Sequence, residues 1–293
     1  MTSINFNSSA SSALQTLSTI NKSLEQTQNS VSTGYKVSKA SDNVAYWSIS
    51  TTMNSDKGAL NAASDALGVG AAKVDTAYAA MESAIDVVNE IKAKLVTASE
   101  SSTDKAQIQL EVGKLKEQLS SIAEGASFSG ENWIVKGDQD SASVVDGFVR
   151  DADGAVKVTT ATYDIETNAL FDSVTAGVGS GGILGDLMAT ADLTDSTSDT
   201  DIATYLSTVE TALSSMTIAG GALGALTTRI DLQSDYSGQL SDAIEEGVSR
   251  LVDADMEEES AKLSALQTQQ QLAIQSLSIA NSSSQNIMTL FRG

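Results

Sequence analysis

Three stretches of the chain carry residue types whose spacing serves chemistry in other proteins. Gly177, Gly179 and Gly182 meet the Gly-x-Gly-x-x-Gly spacing with which a strand-to-helix turn cradles a dinucleotide pyrophosphate. No strand-helix-strand pattern surrounds them, so the stretch reads as a flexible connector. Asp151 and Asp153 before Gly154 match the opening of a calcium loop, but the bidentate Glu that closes such a loop is missing, and a turn is the simpler reading. Asp253, Asp255 and Glu257 to Glu259 form a carboxylate cluster of the kind that holds metals or trades protons. Spread along a helix with no imidazole partner, they read as a solvated face. With Cys 0 and His 0 among 293 residues, thiolate and imidazole chemistry are closed, and so is the His-Glu-x-x-His metallopeptidase design. The expectation is a protein that is not an enzyme and uses no cofactor and no metal.

The elements that would have to position such groups are long helices. Met53, Leu60, Leu67, Val74, Met81, Val88 and Leu95 recur at unbroken seven-residue intervals, with Ala63, Ala77, Ala84 and Ile91 as the partner stripe. A rod of this length spans about 65 Å at 1.5 Å per residue. A shorter helix is predicted after Ser102 to Asp104, carrying Ile108, Val112, Leu115, Leu119 and Ile122. A third rod comes from Ile202, Val209, Met216, Leu223, Ile230, Ile244 and Leu251, whose register fails at Ser237, while Gly220, Gly221 and Gly224 predict a break or a close helix approach. Between Trp133 and Asp201 the helical period is lost. There Val156, Val158, Thr160 and Thr162 alternate after the Asp151 to Gly154 turn, as in a β-hairpin.

Both ends of the chain are almost free of charge yet too polar for a membrane. The first 21 residues carry no charged side chain, and neither do residues 263–291. Ala10, Leu17, Leu24 and Val31 recur every seven residues, with Leu14 offset into the same stripe. In the C-terminal segment Met256, Leu263 and Leu277 share a stripe with Leu266, Ala273, Ala280 and Ile287, and Leu290 extends it. The remaining positions are mostly Ser, Gln, Asn and Thr, so an isolated end buries little and should order only against the other end or against copies of itself.

Charge and topology fit that division. Residues 1–40 carry +2 and residues 257–293 carry −1, which leaves −22 of the total −21 on residues 41–256. Neutral ends beside an acidic middle place protein partners at the ends and solvent around the middle, and exclude nucleic acid and anionic membrane as partners. The start lacks a basic segment followed by an apolar one, and no run of 18 apolar residues occurs, so neither a Sec-type signal nor a membrane span is expected. Pro 0 suits long unbroken helices. The fold class predicted is mainly α: long antiparallel coiled-coil-like rods from both chain ends around a small β-containing central insert. Register slips near 34–42 and 253–259 set the boundaries: residues 1–42 with 255–293, residues 43–135 with 202–254, and residues 136–201.

Several segments resemble the bacterial flagellins. At the N-terminal end these are Ile4-Asn5-Phe6-Asn7, Asn29 to Val37, and Lys39-Ala40-Ser41-Asp42-Asn43-Val44-Ala45. At the other end they are Leu223-Gly224-Ala225 with Arg229-Ile230, Val252-Asp253-Ala254-Asp255, Gln270 to Gln275, Ala280-Asn281 and Leu290. Phe128 to Trp133 looks like that family's turn from the rods into the outer domain, and the short insert with Trp47 is most similar to alphaproteobacterial members. The chain departs from the family pattern at Ser30 to Lys36, which contains no Arg, and at Asp42-Asn43, where a paired Asp is usual.

The resemblance implies a structural subunit that self-assembles into the extracellular flagellar filament and supports swimming. It further implies export through the flagellar type III apparatus. In that picture the terminal pair lines the filament core, the rods form the tube around it and residues 136–201 decorate the outside. The implied partners are the chain itself, sibling flagellins, the flagellar export chaperone, and the cap and hook-associated proteins. Leu14, Leu17, Leu24, Val31, Leu263, Leu266, Leu277, Ile287 and Leu290 are the residues expected to carry self-assembly. The alternative of a hook-filament junction protein shares the terminal motifs, with few copies and a larger outer part expected for it.

Overall fold

The computed structural model describes residues 7–290 apart from 101 and 152, with side chains as far as Ser282. The element order is α1 (Ser8–Thr33), α2 (Val44–Ala98), α3 (Lys105–Gly125), β1 (Ser127–Phe128), β2 (Glu131–Asn132), β3 (Ser141–Arg150), β4 (Val156–Asp164), α4 (Ile165–Asn168), β5 (Ser173–Thr175), β6 (Val178–Ser180), α5 (Gly185–Met188), α6 (Asp199–Val252) and α7 (Met256–Leu290). The chain is thus mainly helical, with three small antiparallel two-stranded sheets, β1-β2, β3-β4 and β5-β6, in its middle. It divides into two compact units: residues 58–241, and the residues up to Lys57 together with those from Asp242. Both divisions fall inside long helices, α2 and α6.

The unit of residues 58–241 is a helical bundle built on the seven-residue stripes. From α2, Leu67, Val74, Met81, Val88, Ile91 and Leu95 are buried against Ile202, Val209, Met216, Leu223 and Ile230 of α6 and Ile108, Val112 and Leu119 of α3. α2 and α6 run antiparallel: Lys92 pairs with Glu210 at one end, and the Ser241 hydroxyl donates to Asn61 Oδ1 at the other. α3 begins where predicted, because Asp104 caps it by accepting the Gln107 N–H at 3.1 Å. α6 begins at a reciprocal cap, in which the Ser198 hydroxyl donates to Asp201 and the Asp201 N–H donates back.

Two expectations for α6 change. It does not break at its glycines, and they mark no unusually close approach: Cβ atoms added at Gly220 and Gly224 would stand 3.6 and 3.8 Å from Met81 and Tyr78, in ordinary van der Waals contact, and one at Gly221 would meet open space. The register also does not fail at Ser237. That residue occupies its seven-residue slot in the seam, buried, with its hydroxyl unpaired. Its small polar side chain hid a position that geometry keeps inside.

The predicted hairpin is β3-β4, paired from Ser141↔Asp164 to Arg150↔Val156, with a bulge at Asp146. Its turn is closed by the Gly154 N–H donating to Asp151 O and the Asp151 N–H to Ala155 O, and Lys157 pairs with the Asp151 carboxylate at 3.0 Å. Asp151 and Asp153 therefore belong to a turn. The sheet lies on the helices. A Cβ on Gly70 of α2 would come within 1.9 Å of Val144 Cγ1, and the bulged Asp146 receives Arg229 of α6 at 2.5 Å. Trp133 stacks on Tyr163 beneath it, with ring centroids 5.9 Å apart.

The stretch with the three glycines is a built structure, not a flexible connector. Ala176 and Gly177, at φ 53 and 78, form the two-residue turn of β5-β6. Gly179 lets the strand pass over the Phe171 ring, where a Cβ would sit 2.5 Å from it, and Gly182 lies against the Leu170 backbone. The spacing reflects a hairpin turn and two close approaches, with no strand-helix-strand unit around it. The segment after α5 is tied to α3: Lys116 donates to Thr190 at 2.9 Å and Gln109 accepts the Leu193 N–H at 3.0 Å.

Candidate assembly interface

The unit formed by the two chain ends contains the seam between α1 and α7, uncharged on the α7 side from Leu263 onward. α1 is capped by Asn7, whose Oδ1 accepts the Ala10 N–H at 3.0 Å, and α1 ends at Gly34, whose left-handed backbone (φ 76) donates its N–H to Ser30 O. α7 runs antiparallel beside it. The Asn7 amide donates to Ala280 O at 3.0 Å near one end, and the Gln270 amide donates to Asn21 at 2.7 Å farther along. The cluster Asp253, Asp255 and Glu257 to Glu259 is explained by this helix start. Asp255 Oδ1 accepts the N–H groups of Glu257 and Glu258, placing carboxylates at the positive end of the α7 dipole.

The side chains that meet in the seam recur at alternating three- and four-residue steps. On α1 they are Ala10, Ala13, Leu17, Ile20, Leu24, Thr27 and Val31; on α7 they are Glu259, Leu263, Leu266, Gln270, Ala273, Leu277 and Ala280. Of the predicted residues, Leu17, Leu24, Val31, Leu263, Leu266 and Leu277 are thus brought together, each only half-buried. The side chains of Ile287 and Leu290 lie outside the described residues. Leu14 is not in the seam: it is 59% exposed, because its slot on the helix is one step past the contact occupied by Ala13 and Leu17. Met256, also expected in the stripe, is exposed at the helix start.

Sequence reasoning missed the outward face. Leu272, Ile274 and Ile279 of α7 are exposed like Leu14, Ile279 at 69%. Leu272 and Ile279 stand seven residues apart, so a second stripe, offset from the first, was the signal that could have found them.

Between α1 and α2 the chain turns through an elbow. The Lys36 and Val37 N–H groups donate to Val252 O, the Ala254 N–H donates to Gly34 O, and Val37 packs with Val248 and Val252. Asp42 folds the next stretch. Partial desolvation pushes its carboxyl upward, but the N–H groups of Ser38 and Lys39, the Ser38 hydroxyl and the Lys39 charge outweigh this and hold it below the usual carboxylate range. Asn43 then caps α2 by accepting the Ala45 and Tyr46 N–H groups. Some of the residues that carried the family motif, among them Gly34, Lys36, Val37, Asp42 and Asn43, are therefore the capping and turn residues of this elbow.

No group of three or more metal-ligating side chains occurs among the described residues, and no described helix is long and apolar enough to cross a membrane. The pattern for the bacterial flagellin N-terminal helical region matches residues 4–137, and that for the C-terminal helical region matches residues 206–291. Flagellin C of Rhizobium meliloti strain 1021 is 47% identical and flagellin A of the same strain 43%, each with the whole of both chains covered. A flagellin of Brucella melitensis is 46% identical over the whole of both chains. The Rhizobium strain has relatives named flagellin A, B, C and D. Matches to both helical regions, in order and around a centre that neither pattern covers, place the chain in the bacterial flagellin family: it is a structural subunit of the extracellular flagellar filament.

Proposed function

We propose that the α1-α7 pair lines the filament core and that Leu14, Leu17, Leu24, Val31, Leu263, Leu266, Leu277, Ile287 and Leu290 carry the contacts there. The α2, α3 and α6 rods would form the tube, and residues 136–201 its outer surface. The observation that supports this reading is the pair itself: its α7 is uncharged from Leu263 to Ser282, its seam is half-buried, and Leu14, Leu272, Ile274 and Ile279 are exposed outside that seam. Covering Leu14, Leu272, Ile274 and Ile279 would yield at most about 6–12 kcal/mol at about 1.5–3 kcal/mol per side chain. Association costs about 4–15 kcal/mol, so contact with one neighbour roughly breaks even and several are needed. A helical array supplies several neighbours to each copy.

The finer partners follow from that role: further copies of the chain, sibling flagellins in a mixed filament, an export chaperone, and the cap and hook-associated proteins. The −22 carried by residues 41–256 supports a solvated exterior. Negative-stain microscopy of the purified chain after salt-induced association tests the proposal. Long filaments built from this chain alone are expected, whereas short capped stubs or a few copies per native filament would favour the hook-filament junction role.

A further inference from the structure

The elbow unit carries two adjoining surfaces of opposite character. One is a groove of about 780 Å³ between the start of α2 and the end of α6, lined by Tyr35, Trp47, Lys57, Asp242, Glu245, Glu246 and Asp253, in which Lys57 pairs with Glu245 and Arg250 with Glu246. Trp47 is 38% exposed, Tyr35 and Tyr46 are also exposed, and the rim is acidic. The other is a groove of about 550 Å³ on the α1 side, where Lys22, Lys36 and Lys39 outnumber Glu25 and Asp42, and where the Asp42 carboxylate is already turned onto the Ser38 and Lys39 N–H groups. Tyr35 and Ser38 border both.

We infer that these two surfaces bind each other between copies: the Lys36-Lys39 face of one subunit seats on the Trp47 groove of the next. The occupant is argued from charge. Three of the few cations in a chain of net charge −21 are gathered on this face; the neighbouring groove stays net acidic after Lys57 is counted, with Asp242 and Asp253 beside the Glu245 and Glu246 ion pairs, and adds an exposed indole, which attracts ammonium groups through its ring face. Two different patches on one subunit make a heterologous contact, which propagates instead of closing, as a filament requires. The inference rests on the filament reading above, and adds which residues join one copy to the next.

The test uses the intact chain and seeded polymerisation, read as critical concentration by sedimentation. Lys36→Glu with Lys39→Glu makes the chain more negative by four charges; Asp242→Lys with Glu246→Lys makes it less negative by four. If only the overall field mattered, the second variant would polymerise more readily than the parent. Pairing of the two surfaces predicts that each variant raises the critical concentration at least tenfold. It also predicts that the chain carrying all four changes, with its surfaces reversed but again complementary, returns to within threefold of the parent. An acidic-groove variant that polymerises as well as the parent overturns the contact, and so does a fourfold variant no better than either half. In a Trp133→Phe background with parental helical content, Trp47 emission should shift to the blue on polymerisation; an unchanged spectrum means the groove stays open and also overturns the inference. A parent that forms no filaments would instead refute the filament reading itself.

Discussion

Leu277→Lys separates the monomer from the polymer. In the described chain Leu277 is half-buried between α1 and α7. A lysine there can keep its stem in the seam and carry its ammonium out along the open side, so the monomer loses about 1 kcal/mol of apolar contact. In a filament whose neighbours cover that side, the charge has no exit. α7 carries no charged residue from Leu263 to Ser282, and α1 offers only Lys22 and Glu25. An unpaired buried charge costs about 3–5 kcal/mol. At about 1.4 kcal/mol per decade, the critical concentration rises by roughly two to three and a half orders of magnitude. Sedimentation of seeded reactions measures it, while circular dichroism melting of the monomer checks that the fold survives. The control is Thr162→Lys on the exposed β4 strand. Thr197, a superficially similar site, is less suitable because its carbonyl accepts Lys105 at 2.8 Å and its hydroxyl accepts the Thr194 N–H. A critical concentration within threefold of the parent would remove the seam from the assembly mechanism.

Other expectations concern the rods, the elbow and the net charge. Ser237→Ala deletes a buried hydroxyl without a partner, and should raise the stability of the helical bundle by about 1 kcal/mol, seen as a higher melting temperature. Gly70→Ala drives a methyl into Val144 and should cost about 1–3 kcal/mol, most of it recovered by adding Val144→Ala; an uncompensated loss would place the strain elsewhere. The lowered Asp42 carboxyl contributes stability that is present above the unfolded carboxyl range and is lost as pH falls through its folded value. Proteolysis between Lys36 and Asn43 should therefore accelerate only in strong acid, and Asp42→Ala should show that faster cleavage already at neutral pH. Filament growth should accelerate with added salt, because the −22 on residues 41–256 repels over a Debye length of about 10 Å at 0.1 M; faster growth on salt removal would contradict an acidic exterior.

The rods were legible because their period is long and unbroken. Met53 to Leu95 and Ile202 to Ile230 name their buried faces outright, and Asp104 and Ser198 mark helix starts by capping chemistry that acts locally. What sequence could not reveal depends on partners far along the chain. That Gly70 is a seat for Val144 needs the β3-β4 hairpin laid across α2, and Gly179 is needed only because Phe171 passes beneath it. Ser237 misled for a different reason: an apolar stripe tolerates one small polar residue when the helices on either side hold the register. The Gly177 to Gly182 spacing carried no intrinsic label, since a hairpin turn and a phosphate loop both draw on the same freedom from a Cβ.

The assembly surface was half legible for a physical reason. A seven-residue stripe reports only that one helix face meets something, and it does not distinguish a contact within the chain from one between chains. Leu17 and Leu277 are each half-buried in the seam within the chain, so their stripe is accounted for before any neighbour arrives; Leu14 and Ile279 remain bare. The two halves of the pattern therefore act at different stages. The seam is thin because its residues are small or half-covered and the polar Thr27 occupies a buried position in it, so the monomeric pair has little stability to lose. On the proposed core role, the outward side chains would gain only when neighbours cover them, and that gain would fix the pair in place. A chain end built this way remains open to handling before assembly and becomes firm afterwards. In the monomer, limited proteolysis should cut within α1 and α7 while residues 58–241 resist, and the same peptide bonds should be protected in filaments. Equal resistance of both units in the monomer would show that the seam alone holds the ends, and coupling of their order to assembly would then have to be abandoned.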